Sequence, residues 1–511
     1  MKKLPSAAEE GTAALRAVLL PAFGPGRERN SAMPNKPNIL LITADHMRAD
    51  AIGFINPAVI TPNLDRLANG GAHFTSAYCV NPVCPPSRAS ILTGRYPHCN
   101  GVWGVGLPVR EDEVTICDIL KQSGYRTAAI GKTHFRPQCR ENLANEPEAA
   151  EVKTRPRLKD GTYYGFDEHH ITEDIPAGEY YEWLKEAAPR YIPGMGRPSS
   201  AEGDVWVSGM PALCHQTHWI GGKSVEVIEK HDASGPLFLW TGFVAPHPPC
   251  HPPEEYARIY ENAKLRWDVF RDGEHDLRPG HLRYQKKHPW PGGAEEQVKS
   301  GEEIESIVRH YYASITFIDD QIGRIIKSLE DRNMLENTII VFTADHGELL
   351  GDHRLFLKGP WMYEGLIRVP MIFYGRGIPE NTRCTGFMES VDILPTLLEL
   401  FGEKAPYGVQ GRSQLEVLNR RAESVRDSAV ISYDAHDIGI NIKCLRTGRY
   451  KLAVFADEEY GELYDYQSDP DELHNLYFEE AYAPVKLKLY ERLCSRLISD
   501  QDPLPQKKSL W

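Results

Sequence analysis

The chain has 511 residues, of which 41% are hydrophobic and 25% are charged, and its formal net charge is −13. A chain of this length exceeds the size at which one hydrophobic core stops growing, so we expect two domains. The acidic charge argues against nucleic acid as a partner, because proteins that bind it present basic surfaces.

Residues 1–35 mix proline, glycine and both signs of charge, and we interpret them as a disordered leader with Met33 as an alternative start. Glu9 and Arg16 interrupt any apolar core that a signal peptide would require.

The ten cysteines of the chain show no paired spacing, which is a poor match to a secreted disulfide scaffold. We therefore expect a cytoplasmic rather than a secreted protein. No membrane span is expected either, since apolar stretches such as 236–246 are too short.

Two short, continuously apolar segments predict buried parallel strands, residues 38–44 (NILLITA) and 337–344 (NTIIVFTA). Further strands are predicted at 127–130, 237–241 and 369–374, and helices at 63–69, 116–123 and 304–330. Strands and helices thus alternate over residues 36–403. This order predicts a large α/β domain with a mixed, mainly parallel sheet flanked by helices.

The composition changes after about residue 403, and residues 404–511 predict a smaller α+β domain with an antiparallel sheet. Residues 446–455 and 462–466 predict hairpin strands, and residues 483–499 predict a closing amphipathic helix. Two long polar stretches, 139–203 and 254–301, are predicted to be irregular. Long loops of this kind contact substrate more often than they build the fold.

An Asp-His pair follows each of the two buried strands, as Asp45-His46 and Asp345-His346. Ligands of open parallel sheets bind at the carboxyl ends of strands, so the two carboxylates can meet at one sheet edge. Carboxylate oxygens suit Ca²⁺ or Mg²⁺, and the adjacent histidines also suit Mn²⁺ or Zn²⁺. Either Asp alone could simply cap the element that follows it, but the matched pair favours a metal site.

Residues 84–88 read CPPSR and continue into a helical pattern, ASILTGR, that ends at Arg95. Proline favours the first turn of a helix, so Cys84 is expected at a helix N-terminus, where N–H groups and the dipole favour an anion. Arg88 lies one turn further on and adds a planar cation suited to tetrahedral oxyanions. A buried structural cysteine is the alternative. A phosphatase thiolate loop does not fit, because it requires five residues between Cys and Arg.

The segment from Cys84 to Arg95 closely resembles the signature of the type I sulfatases, which belong to the alkaline phosphatase superfamily. In that family the cysteine is oxidised to formylglycine. Further family motifs follow in order, and they are 38–45 with Arg48, 61–67 (TPNLDRL), 131–134 (GKTH), 246–248 (PHP), 345–347 (DHG), 358–359 (KG), 363–370 (YEGLIRVP) and 465–475. The resemblance covers nearly all of residues 36–500. It implies an alkaline-phosphatase-like α/β fold and the hydrolysis of sulfate esters by a catalytic domain at 36–403.

The resemblance also implies a metal site and a nucleophile. One divalent cation, Ca²⁺ first and Mn²⁺ or Mg²⁺ as alternatives, would be bound by Asp45, Cys84, Asp345 and His346. The hydrated aldehyde at residue 84 would attack sulfur through one hydroxyl, and the desulfated alcohol would leave. The second hydroxyl of the sulfate hemiacetal would then be deprotonated, and sulfate would be eliminated as the aldehyde re-forms. The other residues that the family's pattern places in the site are Arg88, Lys132, His134, His247 and Lys358.

These residues have distinct roles by the family's pattern. Lys132, His134, His247 and Lys358 hold the sulfate oxygens in a positive pocket, and Arg88 supports the aldehyde. His134 is also a candidate base, and His247 is a candidate acid toward the leaving oxygen.

His46 and residues 214–219 could also be considered as metal ligands, and we assign neither to a metal site. His46 stands where many relatives have Asp or Gln, and we leave it outside the metal set. An imidazole there weakens the case for Ca²⁺, because nitrogen ligands are atypical of that ion. Residues 214–219 (CHQTHW) lack the partner spacing of a zinc site and are expected to line the substrate pocket or to pack beneath it.

Two other functions are alternatives to a sulfatase. A phosphonate monoester or phosphodiester hydrolase of the same superfamily would share the metal site and formylglycine, but such relatives lack the Lys and His found here as Lys132 and His134. A non-catalytic binding protein on the same fold is the remoter alternative. The partners implied for a sulfatase are a small sulfated substrate (a sugar, aryl or alkyl sulfate) and a formylglycine-generating enzyme. No motif selects among these esters.

Overall fold

The structure is a computed structural model, and it describes residues 36–137, 162–174, 178–194, 205–232, 234–263, 265, 269–279 and 301–506. The predicted disordered leader, residues 1–35, lies outside the described residues, as do parts of the two long polar stretches. Within the described ranges, the helices are too short or too polar to pass through a lipid bilayer.

The larger part of the chain folds around one sheet of eight strands. In chain order they are β1 (Asn38–Ala44), β2 (Gly71–Tyr78), β3 (Arg126–Gly131), β4 (Glu168–Ile171), β5 (Leu237–Phe243), β6 (Thr338–Ala344), β7 (Met371–Gly375) and β8 (Thr382–Glu389). Across the sheet their order is β4-β3-β5-β1-β6-β7-β2-β8. Strand β7 runs antiparallel to β6 and β2, and the other neighbours are parallel. The fully buried strands β1, β5 and β6 lie side by side at the centre.

Helices connect these strands and cover the sheet. They are α1 (Pro62–Asn69), α2 (Cys84–Thr93), α3 (Pro97–Asn100), α4 (Ile116–Gln122), α5 (Gly178–Ala187), α6 (Gln216–Lys230), α7 (Glu254–Ala257), α8 (Gly301–Asp331), α9 (Glu364–Ile367), α10 (Ile393–Leu400) and α11 (Leu415–Leu418). The long helix α8 packs against α6. Its buried residues Ile315, Ile318, Ile322 and Ile325 recur at the three- and four-residue spacing of one helix face.

A second, antiparallel sheet of four strands lies in the C-terminal part of the chain, in the order β12-β11-β10-β9. Its strands are β9 (Ser428–Ala435), β10 (Ile440–Thr447), β11 (Tyr450–Phe455) and β12 (Gly461–Asp465), and the closing helix is α12 (Ala483–Ser499). Leu489 and Leu493 of that helix pack on apolar residues of the sheet. The division of the chain at residue 403 stays a prediction.

The predicted fold class is confirmed, because the large sheet is mainly parallel and a smaller antiparallel sheet follows it. The predicted bounds of 38–44 and 483–499 match β1 and α12, and the other predicted strands and helices of the large domain begin or end within a few residues of the observed ones. Strands β2, β4 and β8 were missed, since partly exposed side chains interrupt their apolar runs. The prediction of irregular structure at 139–203 and 254–301 was wrong in part, because β4, α5 and α7 lie there.

Candidate active site

The register of the central strands brings the two Asp-His pairs together. Strands β1 and β6 are parallel neighbours, and Ala44 lies opposite Ala344. Asp45 and Asp345 therefore leave the sheet side by side, and both side chains are fully buried. The Oδ1 atom of Asp345 accepts hydrogen bonds from the backbone N–H groups of His46 (3.3 Å) and His346 (2.9 Å). The carboxylates that the sequence places far apart thus meet at one sheet edge.

Cys84 begins helix α2, whose first turn contains two prolines. Its Sγ atom lies 3.4 Å from Asp45 Oδ1, 3.2 Å from His346 Nε2 and 2.7 Å from Lys358 Nζ. The structure contains the encoded cysteine, so this sulfur stands in for the hydroxyl oxygens of a hydrated formylglycine. Burial and the Asp45 carboxylate raise the pKa of the Cys84 thiol. An unmodified cysteine would therefore be a poor nucleophile at neutral pH.

Arg88 and Asp345 form a fully buried ion pair. Arg88 Nε donates to Asp345 Oδ2 over 2.7 Å, and Arg88 Nη1 donates to the backbone carbonyl of Lys132 over 2.8 Å. The Nη2 atom is buried and has no hydrogen-bond partner among the described residues. The direct partners of Arg88 are therefore a predicted ligand and the backbone, and its support of an aldehyde at residue 84 stays a prediction.

Four buried side chains present metal-ligand atoms that all lie within 4.8 Å of one another, and they are Asp45, His46, Cys84 and His346. Three of them belong to the predicted metal set. Asp345, the fourth predicted ligand, is paired with Arg88 and lies outside this group, whereas His46 lies inside it. Burial and the Lys358 charge lower the pKa values of His46 and His346, so both imidazoles are neutral and able to act as ligands. This donor set fits a divalent cation.

Lys132 and Lys358 place positive charge around residue 84. Both lysines are buried, and Lys132 Nζ donates hydrogen bonds to the carboxylates of Asp45 and Asp174. Burial would lower the pKa of Lys132, but Asp174 and Asp45 outweigh it and hold that pKa well above its ordinary value. Both ammonium groups are thus charged and already in position, which is the arrangement that stabilises developing charge on sulfate oxygens.

His134 and His247 have contrasting surroundings. His134 is buried, and neither of its ring nitrogens has a hydrogen-bond partner within the part of the chain that the structure describes. Burial and Lys132 lower the pKa of His134 to about 3, so the ring is neutral and able to accept a proton. In His247, Nδ1 lies 2.6 Å from the carbonyl oxygen of the next residue, and Nε2 lies 3.7 Å from Asp174 Oδ2. Burial lowers the pKa of His247, and the Asp174 carboxylate acts in the opposite direction.

The structure brings the predicted site residues to one region, and it adds two that the sequence reasoning missed. Asp174 lies just after β4, a strand that the sequence analysis did not predict. Because ligands bind at the carboxyl ends of parallel strands, a prediction of β4 would have made Asp174 a candidate site residue. Glu348 lies 2.7 Å from the His46 ring, through Oε2 and Nδ1. It belongs to none of the motifs noted in the sequence. The catalytic and ligand roles of the predicted residues stay predictions.

A cavity of about 230 Å³ borders the candidate site, and His247 and Asp174 form part of its wall. The rest of the wall is largely apolar and aromatic, with Trp206, Phe317 and several prolines. Among the described residues that line it there is no Lys or Arg. The cavity is therefore suited to the uncharged part of a molecule whose charged group lies between the two lysines.

The segment 214–219 was predicted either to line the substrate pocket or to pack beneath it, and it does both. His215 lies in the wall, and its Nε2 atom is 3.1 Å from Nδ1 of His251. Trp219 packs in the hydrophobic core, and His218 contacts Arg324 outside the cavity. The segment thus lines the pocket at one end and packs beneath it at the other.

Comparisons with known proteins identify the family. A family model described as Sulfatase matches residues 37–403, and one described as N-sulphoglucosamine sulphohydrolase, C-terminal, matches residues 351–498. The chain belongs to the sulfatase family. It is 31% identical to an arylsulfatase of Clostridium perfringens, over 88% of this chain and 91% of the relative.

Two further similarities span most of the chain. An N-acetylglucosamine-6-O-sulfatase of Bacteroides thetaiotaomicron is 26% identical over 92% of this chain and 88% of the relative. A solved structure of the phosphonate monoester hydrolase of Agrobacterium radiobacter has a TM-score of 0.80 and 27% identity, with 93% of this chain and 98% of that chain covered.

Family membership confirms the resemblance inferred from the motifs and the assignment as a sulfuric ester hydrolase. It also implies a divalent metal ion and a formylglycine derived from a cysteine. The buried donors around Cys84 fit such an ion, and Cys84 at the start of α2 fits the modification.

Proposed function

We propose that the protein hydrolyses small sulfate monoesters to an alcohol and inorganic sulfate. The observation that carries the proposal is the position of Cys84, at a helix N-terminus between the Asp45 carboxylate and the Lys358 ammonium. A formylglycine at this position would supply, as its hydrate, an oxygen nucleophile whose pKa a neighbouring divalent cation would lower. The resemblance favours Ca²⁺ as that cation, with Mn²⁺ and Mg²⁺ as alternatives, and the donor atoms around the ion decide among them.

Side chains of the site would stabilise the negative charge on the sulfate oxygens and transfer the protons that the hydrolysis requires. Lys132 and Lys358 hold the sulfate oxygens, on which negative charge is stabilised in the transition state. His247 donates a proton from its ring to the leaving alcohol oxygen. Burial lowers the pKa of this ring, and the Asp174 carboxylate 3.7 Å away opposes that effect by favouring the protonated form. His134 is neutral because of its burial, and it accepts a proton from the side chain at position 84.

The alcohol part of the substrate would lie in the cavity beside His247. Burial lowers the pKa of His251 to about 4, and burial together with His251 lowers that of His215, so this pair is uncharged at neutral pH. Trp206 and Phe317 offer aromatic faces to a ring. An aromatic or otherwise apolar alcohol fits this wall. A saccharide with several sulfate groups would bring charges that no described Lys or Arg of the cavity balances.

A turnover screen tests this substrate class. The mature protein is assayed with a nitrophenyl sulfate, an alkyl sulfate, choline sulfate and sulfated mono- and disaccharides, with its metal and formylglycine contents measured alongside. We expect the largest kcat/KM for the aryl sulfate. A larger kcat/KM for a sulfated disaccharide would contradict the assignment of the cavity, and no turnover of any sulfate ester by fully matured protein would contradict the proposed function.

A phosphonate monoester or phosphodiester hydrolase is the second candidate, and the similarity to a phosphonate monoester hydrolase favours it. Sulfate and phosphate esters share tetrahedral geometry, so a side activity on phosphodiesters is expected. Lys132 and His134, which the resemblance associates with sulfate, lie in the site and favour sulfate as the main substrate. We expect kcat/KM for a sulfate monoester to exceed that for a phosphodiester with the same leaving group, and the reverse order would favour the second candidate.

Maturation by a formylglycine-generating enzyme is part of the proposal. Mass spectrometry of the tryptic peptide that contains Cys84 should show the aldehyde in protein from its native host, and an unmodified thiol there would count against catalysis. We also propose a cytoplasmic location, which is supported by the absence of disulfide pairs among the described cysteines. Cell fractionation tests that location.

A further inference from the structure

The two ring nitrogens of His46 have different surroundings. Nδ1 lies 2.7 Å from Oε2 of Glu348, and the two side chains are 1% and 2% exposed. Nε2 is buried and has no hydrogen-bond partner among the described residues. The ring packs edge-on against the rings of His346 and His247, with centroids 4.2 and 4.3 Å away. Since Nδ1 is occupied by Glu348, Nε2 is the atom that His46 offers to the cluster with Asp45.

Neighbouring groups fix the backbone of His46 and the side chain of Glu348. The backbone carbonyl of His46 accepts a hydrogen bond from Tyr311 Oη (2.6 Å), and its backbone N–H donates to Asp345 Oδ1. The residue has a φ of 59°, a left-handed conformation that a β-carbon disfavours. Glu348 is held in turn by the backbone N–H of Leu350, which donates to Oε1 over 3.2 Å. Both members of the pair are therefore fixed by neighbours.

The contact with Glu348 favours one of the two neutral tautomers of the His46 ring. A neutral imidazole has one N–H group, and a carboxylate beside Nδ1 favours the proton on that atom. The lone pair of Nε2 is then free, and His46 belongs to the group of side chains whose ligand atoms, with those of Asp45 and His346, lie within 4.8 Å of one another. Metal-binding histidines characteristically donate their other ring N–H to a carboxylate in this way, and buried polar atoms rarely lack a partner.

We propose that His46, oriented by Glu348, binds the divalent cation through Nε2 and makes this site select a first-row transition ion such as Mn²⁺ over Ca²⁺. With His346, whose Nδ1 lies 2.8 Å from a backbone carbonyl, the site offers two imidazole nitrogens beside the Asp45 carboxylate. Ca²⁺ takes oxygen ligands, whereas imidazole suits transition ions. The inference rests on the proposed function only in placing the cation beside residue 84, and it departs from the Ca²⁺ that the resemblance favours.

Competition between two metal ions tests this selectivity without a sulfate ester. The mature protein is dialysed to equilibrium against buffers that contain Mn²⁺ and Ca²⁺ at equal free concentrations, and the bound ions are measured by mass spectrometry. His46→Gln replaces the nitrogen donor with an amide oxygen. Glu348→Gln replaces the carboxyl beside Nδ1 with a neutral amide, which weakens the preference for the ring proton on that atom. His218→Gln is the matched control, because His218 contacts Arg324 outside the site.

We expect the wild type to bind Mn²⁺ in clear preference to Ca²⁺. Loss of a residue that orients a metal ligand lowers metal affinity by about 10–100-fold, so the preference should fall by about that factor in Glu348→Gln and by at least as much in His46→Gln. The control should keep the wild-type ratio. A wild type that retains Ca²⁺, or a His46→Gln variant with an unchanged ratio, would overturn the inference.

Pulsed electron paramagnetic resonance keeps the test informative if a variant fails to fold. Mn²⁺-loaded wild type labelled with [¹⁵N]histidine should show couplings to two imidazole nitrogens, and coupling to one alone would overturn the role of His46. Sulfate turnover is measured separately. A Ca²⁺-selective protein that cleaves sulfate esters contradicts this inference alone, and a Mn²⁺-selective protein without turnover contradicts the proposed function alone.

Discussion

Replacing Lys358 with alanine removes an ammonium group that contacts residue 84, and the effect on kcat follows from the geometry. Lys358 Nζ lies 2.7 Å from Cys84 Sγ, and the residue is 6% exposed. A sulfate oxygen bound next to that atom would lie about 4 Å from the ammonium, where unit charges at an effective dielectric of about 20 interact by about 4 kcal/mol. Since about 1.4 kcal/mol corresponds to a tenfold change in rate, we expect Lys358→Ala to lower kcat by about 10³-fold.

The assay is steady-state turnover of a nitrophenyl sulfate by mature protein. The formylglycine content of each variant must be measured, because Lys358 contacts the residue that is modified. Lys223→Ala is the control, since Lys223 forms a partly exposed pair with Glu226 on α6 and should leave kcat unchanged. The loss should appear in kcat more than in KM, because the charge is stabilised in the transition state. A fully matured Lys358→Ala enzyme with kcat within tenfold of the wild type would refute the reasoning.

His247→Gln should lower kcat by about 10²–10⁴-fold for an alkyl sulfate but much less for a nitrophenyl sulfate, whose leaving oxygen needs no proton, and equal losses on the two substrates would contradict its role as the acid. Phe317→Ala should raise KM for the aryl sulfate by up to about tenfold with little change in kcat, which steady-state kinetics on aryl and alkyl substrates can check. Burial raises the pKa of Glu113 to about 7 in spite of its 2.9 Å ion pair with Arg95. Because this pKa lies above that of the unfolded chain, stability should fall as the pH rises from about 4.5 to 7, by about 3 kcal/mol at most. Glu113→Gln should flatten this dependence in thermal denaturation at about pH 5 and pH 8, and a parallel dependence in both proteins would contradict it.

The elements that could be predicted are those that a local pattern specifies. The strand Asn38–Ala44 is a continuous apolar run because both of its faces are buried, and the helix Ala483–Ser499 shows the periodicity of one apolar face. The strand Gly71–Tyr78 lacks such a signal, since partly exposed residues interrupt its buried ones. Its place in the sheet depends on pairing with strands some 300 residues away in the chain.

The candidate site was predictable where its chemistry lies in a compact motif. Residues 84–95 contain a helix, Cys84–Thr93, whose first turn favours proline and whose first residue is Cys84, so one short segment indicates both structure and chemistry. Asp174 and Glu348 have no such motif. Asp174 belongs to the site because it pairs with Lys132, and Glu348 belongs to it because it pairs with His46. Both partners lie far away in the chain.

By itself, the sequence determined the fold class, the cysteine at the start of α2 and most of the charged side chains of the site, because each of these lies in a short local motif. Only the tertiary structure decided which of these side chains share one point in space. There, Asp345 is paired with Arg88, while His46, whose Nε2 has no hydrogen-bond partner among the described residues, lies in one group of ligand atoms with Asp45, Cys84 and His346. These pairings join residues from distant parts of the chain, and strand register and burial select them in a way that no local pattern can encode.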